Sequence, residues 1–401
     1  MKYHLDNGLI VIEKWMPSDT VTVHLTVKTG SNNECEGIRG ISHFIEHMVF
    51  EGTKKRSNAM IIGNEIESIG GDINAYTDNV RTAYHVKVPK KHFEKSMDIL
   101  SDIIRDPIFL QKHIDKERRV ILKEINMFND EARLHQWMMF QSQLFRKHPA
   151  KYPVLGKEEN VMNMTRDDLI GYYKEKYTAK NSILSIVGNF HDSKKIVKNY
   201  FDGYVTGKPV KQIYFHEPEN KIRYVIKEKR KLMNSYMVIG FKTVSRLHHD
   251  SFVLDVIQAI LGRGQSGRIF DEIRGKRGLS YEVNVIHESS TDFGFFAVGL
   301  GAEKSKLKAI RSIILREFNS LQSISTRDIR EAIGYIEGRH VLEHEDTCNL
   351  ADYLAYWEML GSYTLGKEYI KRIKSVTKKD IARVSRKYFN DKYTMALIEQ
   401  R

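Results

Sequence analysis

Two spacings of apolar residues alternate along the chain. Over Thr20–Val27 apolar and polar positions alternate, with Val21, Val23, Leu25 and Val27 on one face, and residues 83–88 repeat the pattern. A period of two predicts half-buried antiparallel strands. Residues 93–104 have helical spacing instead, and a strongly helical stretch runs from about residue 110 into the region of Phe140. On its wheel Ile114, Val120, Ile121, Leu122, Ile125 and Phe128 define one apolar arc, with Glu117 and Glu124 inside it. Around residues 41–50 the chain is apolar almost all round, through Ile41, Phe44, Ile45, Met48, Val49 and Phe50, which predicts a buried helix.

The pattern occurs twice. At an offset of 212, Thr165, Asp168 and Leu169 recur as Thr377, Asp380 and Ile381, and Tyr177 and Lys180 fall on Phe389 and Lys392. The apolar run 183–186 falls on 395–398, so both copies read as helix, turn and closing strand. Strands and helices in two layers predict an α+β protein, two homologous α/β sandwiches that each pack a mostly antiparallel sheet with helices. The expected division is 1–204, a linker at 205–220 carrying Gly207, Pro209 and Pro218, and 221–401. A length of 401 residues agrees with two domains.

Composition narrows the class. Apolar residues make up 41% and there are seven prolines, an ordinary globular balance. Two cysteines, Cys35 and Cys348, one in each half, give neither a disulfide framework nor a thiolate metal site. The start runs straight into strand-like Leu9, Ile10, Val11 and Ile12 without a signal pattern, and no apolar run is long enough to span a bilayer, so the expected location is cytoplasmic, with no membrane partner. A net charge of +13 raises nucleic acid as a partner. No zinc-finger, RNP or helix-turn-helix pattern accompanies the basic residues, so solvated helix faces explain them and no nucleic acid is expected.

Candidate chemistry lies in the buried helices. His43 and His47, at i and i+4, project from one side of a helix about one turn apart and can share one Zn²⁺. Glu46 is on their face, able to reach a water without taking a ligand position, in an order inverted from the commoner His-Glu-x-x-His. Two imidazoles and a carboxylate in an apolar helix need partners, or their desolvation costs several kcal/mol. Glu124 supplies a third ligand and leaves one position open; Glu117, two turns ahead of it, orients a ligand histidine. Sites of this kind also accept Co²⁺ or Mn²⁺. In the second copy His43, Glu46 and His47 become Asp255, Gln258 and Ala259, so only the first copy keeps the metal chemistry.

With this spacing the chain resembles the pitrilysin/insulinase family of zinc peptidases, the inverzincins, and within it the half-length branch that includes mitochondrial processing peptidase and small bacterial homologues. The run 70–77 with Thr82 and Tyr84, the run 261–268, and Arg277-Gly278-Leu279-Ser280-Tyr281 extend the likeness over nearly the whole chain. Gly267 departs from it, where relatives often carry a second serine. The resemblance implies one zinc per chain held by His43, His47 and Glu124, with Glu46 as general base and Glu117 beside the ligands. It further implies that Asn74 and Ala75 border a bound peptide on an edge strand, and that Arg277 and Tyr281 contact substrate backbone. The implied assembly is a clamshell of two half-length units, a homodimer or a heterodimer with a homologous subunit, that hydrolyses unfolded or short peptides. The implied alternative is a noncatalytic scaffold or peptide-binding subunit of a processing-peptidase-like complex.

Overall fold

The computed structural model describes residues 1–210, 214–215 and 217–401; the part of the expected linker at 211–213 and 216 lies outside them. The chain is α+β and forms two compact units, each built on its own sheet.

In the first unit β1 (Lys2–His4), β2 (Ile10–Trp15), β3 (Thr20–Val27), β4 (Asp72–Thr77), β5 (Thr82–Pro89) and β6 (Ser182–Gly188) are ordered β1-β2-β6-β3-β5-β4. All neighbours are antiparallel except β2 and β6. In the second, β7 (Tyr224–Arg230), β8 (Ser235–Lys242), β9 (Val283–Ser289), β10 (Gly294–Ala302) and β11 (Thr394–Gln400) follow the order β7-β11-β8-β10-β9, with β7 and β11 parallel. Apart from β1 the two topologies are the same. The recurring Thr-x-x-Asp marks the same event in each: Thr165 caps the helix Arg166–Lys176 and Thr377 caps Lys378–Tyr388, each in a capping box with the aspartate three residues on.

The expected domain boundaries need correction. The first unit is completed by Leu342–Gly366, and the second takes Asn126–Lys151. The helix Thr347–Met359 lies on β3 and β6, where Ala351, Leu354, Ala355 and Met359 pack against Ile12, Ile183 and Val187. Reciprocally, the helix Ala132–Leu144 covers β8 and β11, with Phe140 against Val238, Phe295, Ala396 and Ile398. Gly299 on β10 is a condition of that contact, since a Cβ there would stand 2.5 Å from the Trp137 ring. Each sheet is thus closed by a helix from the other half of the sequence. The exchange also explains why β3, expected to be half-buried, is buried on both faces: Val21, Val23, Leu25 and Val27 face the main core, and Thr22, His24 and Thr26 are covered as well.

The long helical stretch is two helices. Gln111–Asp130 ends at Glu131, whose backbone is extended and whose side chain caps Ala132–Leu144. On the first of these helices Ile114, Glu117, Ile121 and Ile125 are buried as the wheel predicts, whereas Val120 is exposed.

Candidate metal centre

The helix Ile41–Phe50 is fixed before it presents any chemistry. It begins at Gly40, whose φ of 99° suits glycine and where a Cβ would sit 2.6 Å from the carbonyl oxygen of Leu155. The buried Glu34 carboxylate takes the place of a cap, accepting from the amides of Gly40 at 2.8 Å and Ser42 at 2.9 Å. Ser42 is bonded in turn to the Tyr172 hydroxyl at 2.9 Å. Ile41, Phe44, Ile45, Met48 and Val49 are buried, so the helix cannot roll, and His43, Glu46 and His47 are left half-buried on one side.

Facing them, the helix Gln111–Asp130 brings Glu124 and Glu117. Glu124 Oε2 stands 3.7 Å from His43 Nε2 and 3.7 Å from His47 Nε2. At that distance none of the three is hydrogen-bonded to another. Glu124 Oε2 is a buried acceptor without a hydrogen-bond partner among the described residues. Zinc bonds of about 2.0–2.2 Å in a tetrahedron put ligand atoms roughly 3.4 Å apart, so the spacing fits a Zn²⁺ at the centre. The donor set therefore suits the metal, with two imidazole nitrogens and one carboxylate oxygen. Glu117 Oε2 lies 2.9 Å from His47 Nδ1, which holds that ring with Nε2 toward Glu124. Lys116 rests on the other Glu117 oxygen at 3.1 Å.

Electrostatics separates the groups. Burial, reinforced by the neighbouring His47, pushes His43 down to about 3, so its ring is neutral and its nitrogens are free to ligate. For His47 burial acts downward, but the Glu117 hydrogen bond and the charges of Glu124 and Glu46 prevail and raise it. Glu46 is raised by burial, opposed by the Thr77 hydrogen bond and by His47. Glu117 is lowered because His47 and Lys116 outweigh its burial. A carboxylate raised toward neutrality beside three possible metal donors suits a group that takes and returns a proton.

Strand β4 is an edge of its sheet and passes this site. Thr77 at its end donates to Glu46 Oε2 at 2.5 Å and fixes the carboxylate. Asn74 and Ala75 lie mid-strand, with the Asn74 side chain accepting from the Ala75 amide at 2.8 Å. Arg277 and Tyr281 belong to the second unit: Arg277 is paired with Glu272 at 2.5 Å, and Tyr281 is 81% exposed with the Arg274 guanidinium 4.3 Å over its ring. Sequence reasoning missed the roles of Thr77 and Glu34. Thr77 was visible only as a strand residue, and nothing local marks Glu34 as the anchor of a helix that starts seven residues later.

His248, His249 and Asp250 form a second cluster of possible metal donors. There Arg383 at 2.6 Å, Lys387 at 3.0 Å and the Tyr388 hydroxyl at 2.8 Å already occupy Asp250, and His248 Nδ1 accepts from the Asp250 amide. Two cations on the only carboxylate disfavour a dication at that position.

Two histidines and a glutamate around one point, with a further carboxylate alongside, are a donor set that could hold one metal ion. The family model described as insulinase (peptidase family M16) matches residues 9–158, and that described as peptidase M16 inactive domain matches residues 163–333. The chain belongs to the peptidase M16 (insulinase) family. It is 28% identical over 405 residues to an uncharacterized zinc protease, YmxG, of Bacillus subtilis, covering 99% of this chain and 97% of that protein. An uncharacterized zinc protease of Rickettsia bellii is 29% identical over 406 residues, covering 98% and 96%. Among solved structures a protease from Helicobacter pylori superposes with a TM-score of 0.94 at 21% identity, covering 100% of this chain and 99% of that one. An M16-like peptidase from Alicyclobacillus acidocaldarius gives 0.85 at 19%, covering 100% and 97%, and both likenesses bear on the fold. No described helix is long and apolar enough to cross a membrane.

Proposed function

We propose that this chain is a zinc-dependent endopeptidase or oligopeptidase acting on unfolded or short peptides. The observation that carries the reading is the convergence of His43, His47 and Glu124 on one point, with Glu46 held beside them by Thr77. His43, His47 and Glu124 hold one Zn²⁺ per chain, and Glu117 orients His47. When bound, the metal supplies Lewis acidity toward a peptide carbonyl and acidifies a water. Glu46 accepts the proton of the attacking water and delivers it to the leaving amine, the role for which its raised pKa suits it. A peptide adds to the free edge of β4 near Asn74 and Ala75, a mode that reads backbone more than side chains. Folded substrates, whose strands are already paired, are excluded.

The active form in this reading is a dimer, a homodimer or a heterodimer with a homologous subunit, in which Arg277 and Tyr281 contact substrate backbone. The test is cleavage of a mixture of unstructured peptides, read by mass spectrometry, with metal content measured on the same sample. Internal cuts that need zinc and disappear in Glu46→Gln are expected. A zinc-loaded dimer that makes none would overturn the reading in favour of a noncatalytic peptide-binding subunit.

A further inference from the structure

An edge strand that must receive a peptide has a mechanical problem. One side of its backbone has to stay unpaired, so only one ladder holds it. Successive side chains of β4 point to opposite faces, and both faces are tied down. On one, Thr77 donates to Glu46 at 2.5 Å. On the other, the Tyr76 hydroxyl bonds the carboxylate of Asp352, in the helix Thr347–Met359.

Asp352 gathers more than Tyr76. Arg81, from the turn between β4 and β5, reaches it with Nη2 at 3.0 Å, and His24 of β3 places Nε2 3.2 Å from its Oδ1. The buried Arg81 guanidinium also lies 5.3 Å from the centre of the Tyr76 ring and 5.0 Å from that of Tyr356, which is on the same helix as Asp352. One carboxylate therefore joins the edge strand, its turn and the central strand of the sheet. The helix holds the opposite edge in a separate way: Lys2 of β1 pairs with Glu358.

We infer that Asp352 is a positioning residue for peptide docking, setting the height of β4 relative to Glu46 so that a backbone added to β4 is presented to the metal centre. The inference rests on the peptidase reading.

The test uses the full chain, zinc-loaded, in a Glu46→Gln background so that binding is read without turnover; the probe is a fluorescent unstructured decapeptide. Asp352→Ala is expected to raise its Kd by about 10-fold, and Asp352→Asn, which keeps a partner for Tyr76, by roughly 3-fold, with zinc content unchanged. Hydrogen exchange at the β4 amides is expected to quicken in Asp352→Ala while β6 stays protected. Glu358→Ala, which loosens the same helix from the opposite edge, is the control: it should lower the melting temperature without changing Kd. Unchanged Kd and exchange in folded Asp352→Ala would overturn the inference, as would an equal loss of binding in Glu358→Ala. If the parent binds no peptide, the docking reading itself falls, and β4 exchange alone then decides whether Asp352 anchors the strand.

Discussion

The helices Ile41–Phe50 and His249–Gly262 occupy corresponding places in two sheets of the same topology, yet treat buried polar groups in opposite ways. In the first, His43, His47 and Glu124 point at one another with no hydrogen bond among their facing atoms. In the second, Asp255 stands where His43 would be and is saturated: Arg246 at 2.6 Å, His287 at 2.7 Å and the Tyr369 hydroxyl at 3.1 Å hold it ionised, well below the usual carboxylate range despite its burial. Gln258, in the position of Glu46, donates to the Val285 carbonyl oxygen on the edge strand β9 at 3.1 Å, and the counterparts of Glu117 and Glu124 are Ile329 and Ile336. A buried charge needs an opposite charge. In the proposed reading one unit takes it from solution, as a metal ion; the other takes it from the chain and gains a fixed structure.

The sharpest way to break this comparison is to remove one member from each side. Glu124→Ala should abolish stoichiometric zinc, weakening affinity by more than about 100-fold, the upper end for losing a group that merely supports a ligand. Zinc titration against a competing chelator gives the value. Asp255→Ala should leave zinc binding intact but destabilise the fold by about 3–5 kcal/mol, because the buried carboxylate that Arg246, His287 and Tyr369 share is lost. Urea unfolding measures it. If Asp255→Ala stripped the metal, or if Glu124→Ala kept it, the division of labour between the units would be wrong.

The grouping of His43 with His47, and of Glu117 with Glu124, was legible in the sequence because each pair is local: side chains at i and i+4 and carboxylates at seven-residue spacing share a face by helix geometry alone. The duplication was legible too, since Thr165 with Asp168 and Thr377 with Asp380 are helix caps that any copy must retain. What could not be read was the choice of partner over long separations. An apolar helix face does not say which sheet it will cover, so the exchange of Ala132–Leu144 and Thr347–Met359 between the halves was invisible. Thr77 reaching Glu46, and Asp352 reaching Tyr76 and Arg81, are contacts of the same long-range kind. Val120 was misplaced because an arc drawn on a wheel takes in the margin of the buried face, and this margin is open to solvent.

A smaller effect comes from the support of the helix that carries His43 and His47. Burial pushes the Glu34 carboxyl up to about 7 against the opposing pull of the Gly40 and Ser42 amides. The folded chain thus binds this proton more tightly than the unfolded chain, whose carboxyl has the ordinary value of 4.5. Its stabilisation is complete below about pH 4.5 and is lost as pH rises through about 7, a change of about 3 kcal/mol at most. Metal-free wild type minus Glu34→Gln, by urea unfolding from pH 4 to 8, should show this downward slope. The second unit has His248 at the corresponding helix start, so no such difference is expected from Asp250, whose pKa is lowered by Arg383, Tyr388 and Lys387 despite burial and titrates below this window.

The smallest effect concerns the group that only orients a ligand. Glu117 holds His47 at 2.9 Å and is itself steadied by Lys116, so its loss leaves all three donor atoms present but one ring free to turn. Glu117→Gln should weaken zinc by about 10–100-fold, roughly 1.4–2.8 kcal/mol, and less than Glu124→Ala does. The glutamine can still accept from His47 Nδ1 but cannot offer a charge to it. The same competition titration, run on both variants, tests the ranking: equal losses would mean that Glu117 acts as more than an orienting partner, and no loss would mean that the apolar walls around His47 hold the ring by themselves.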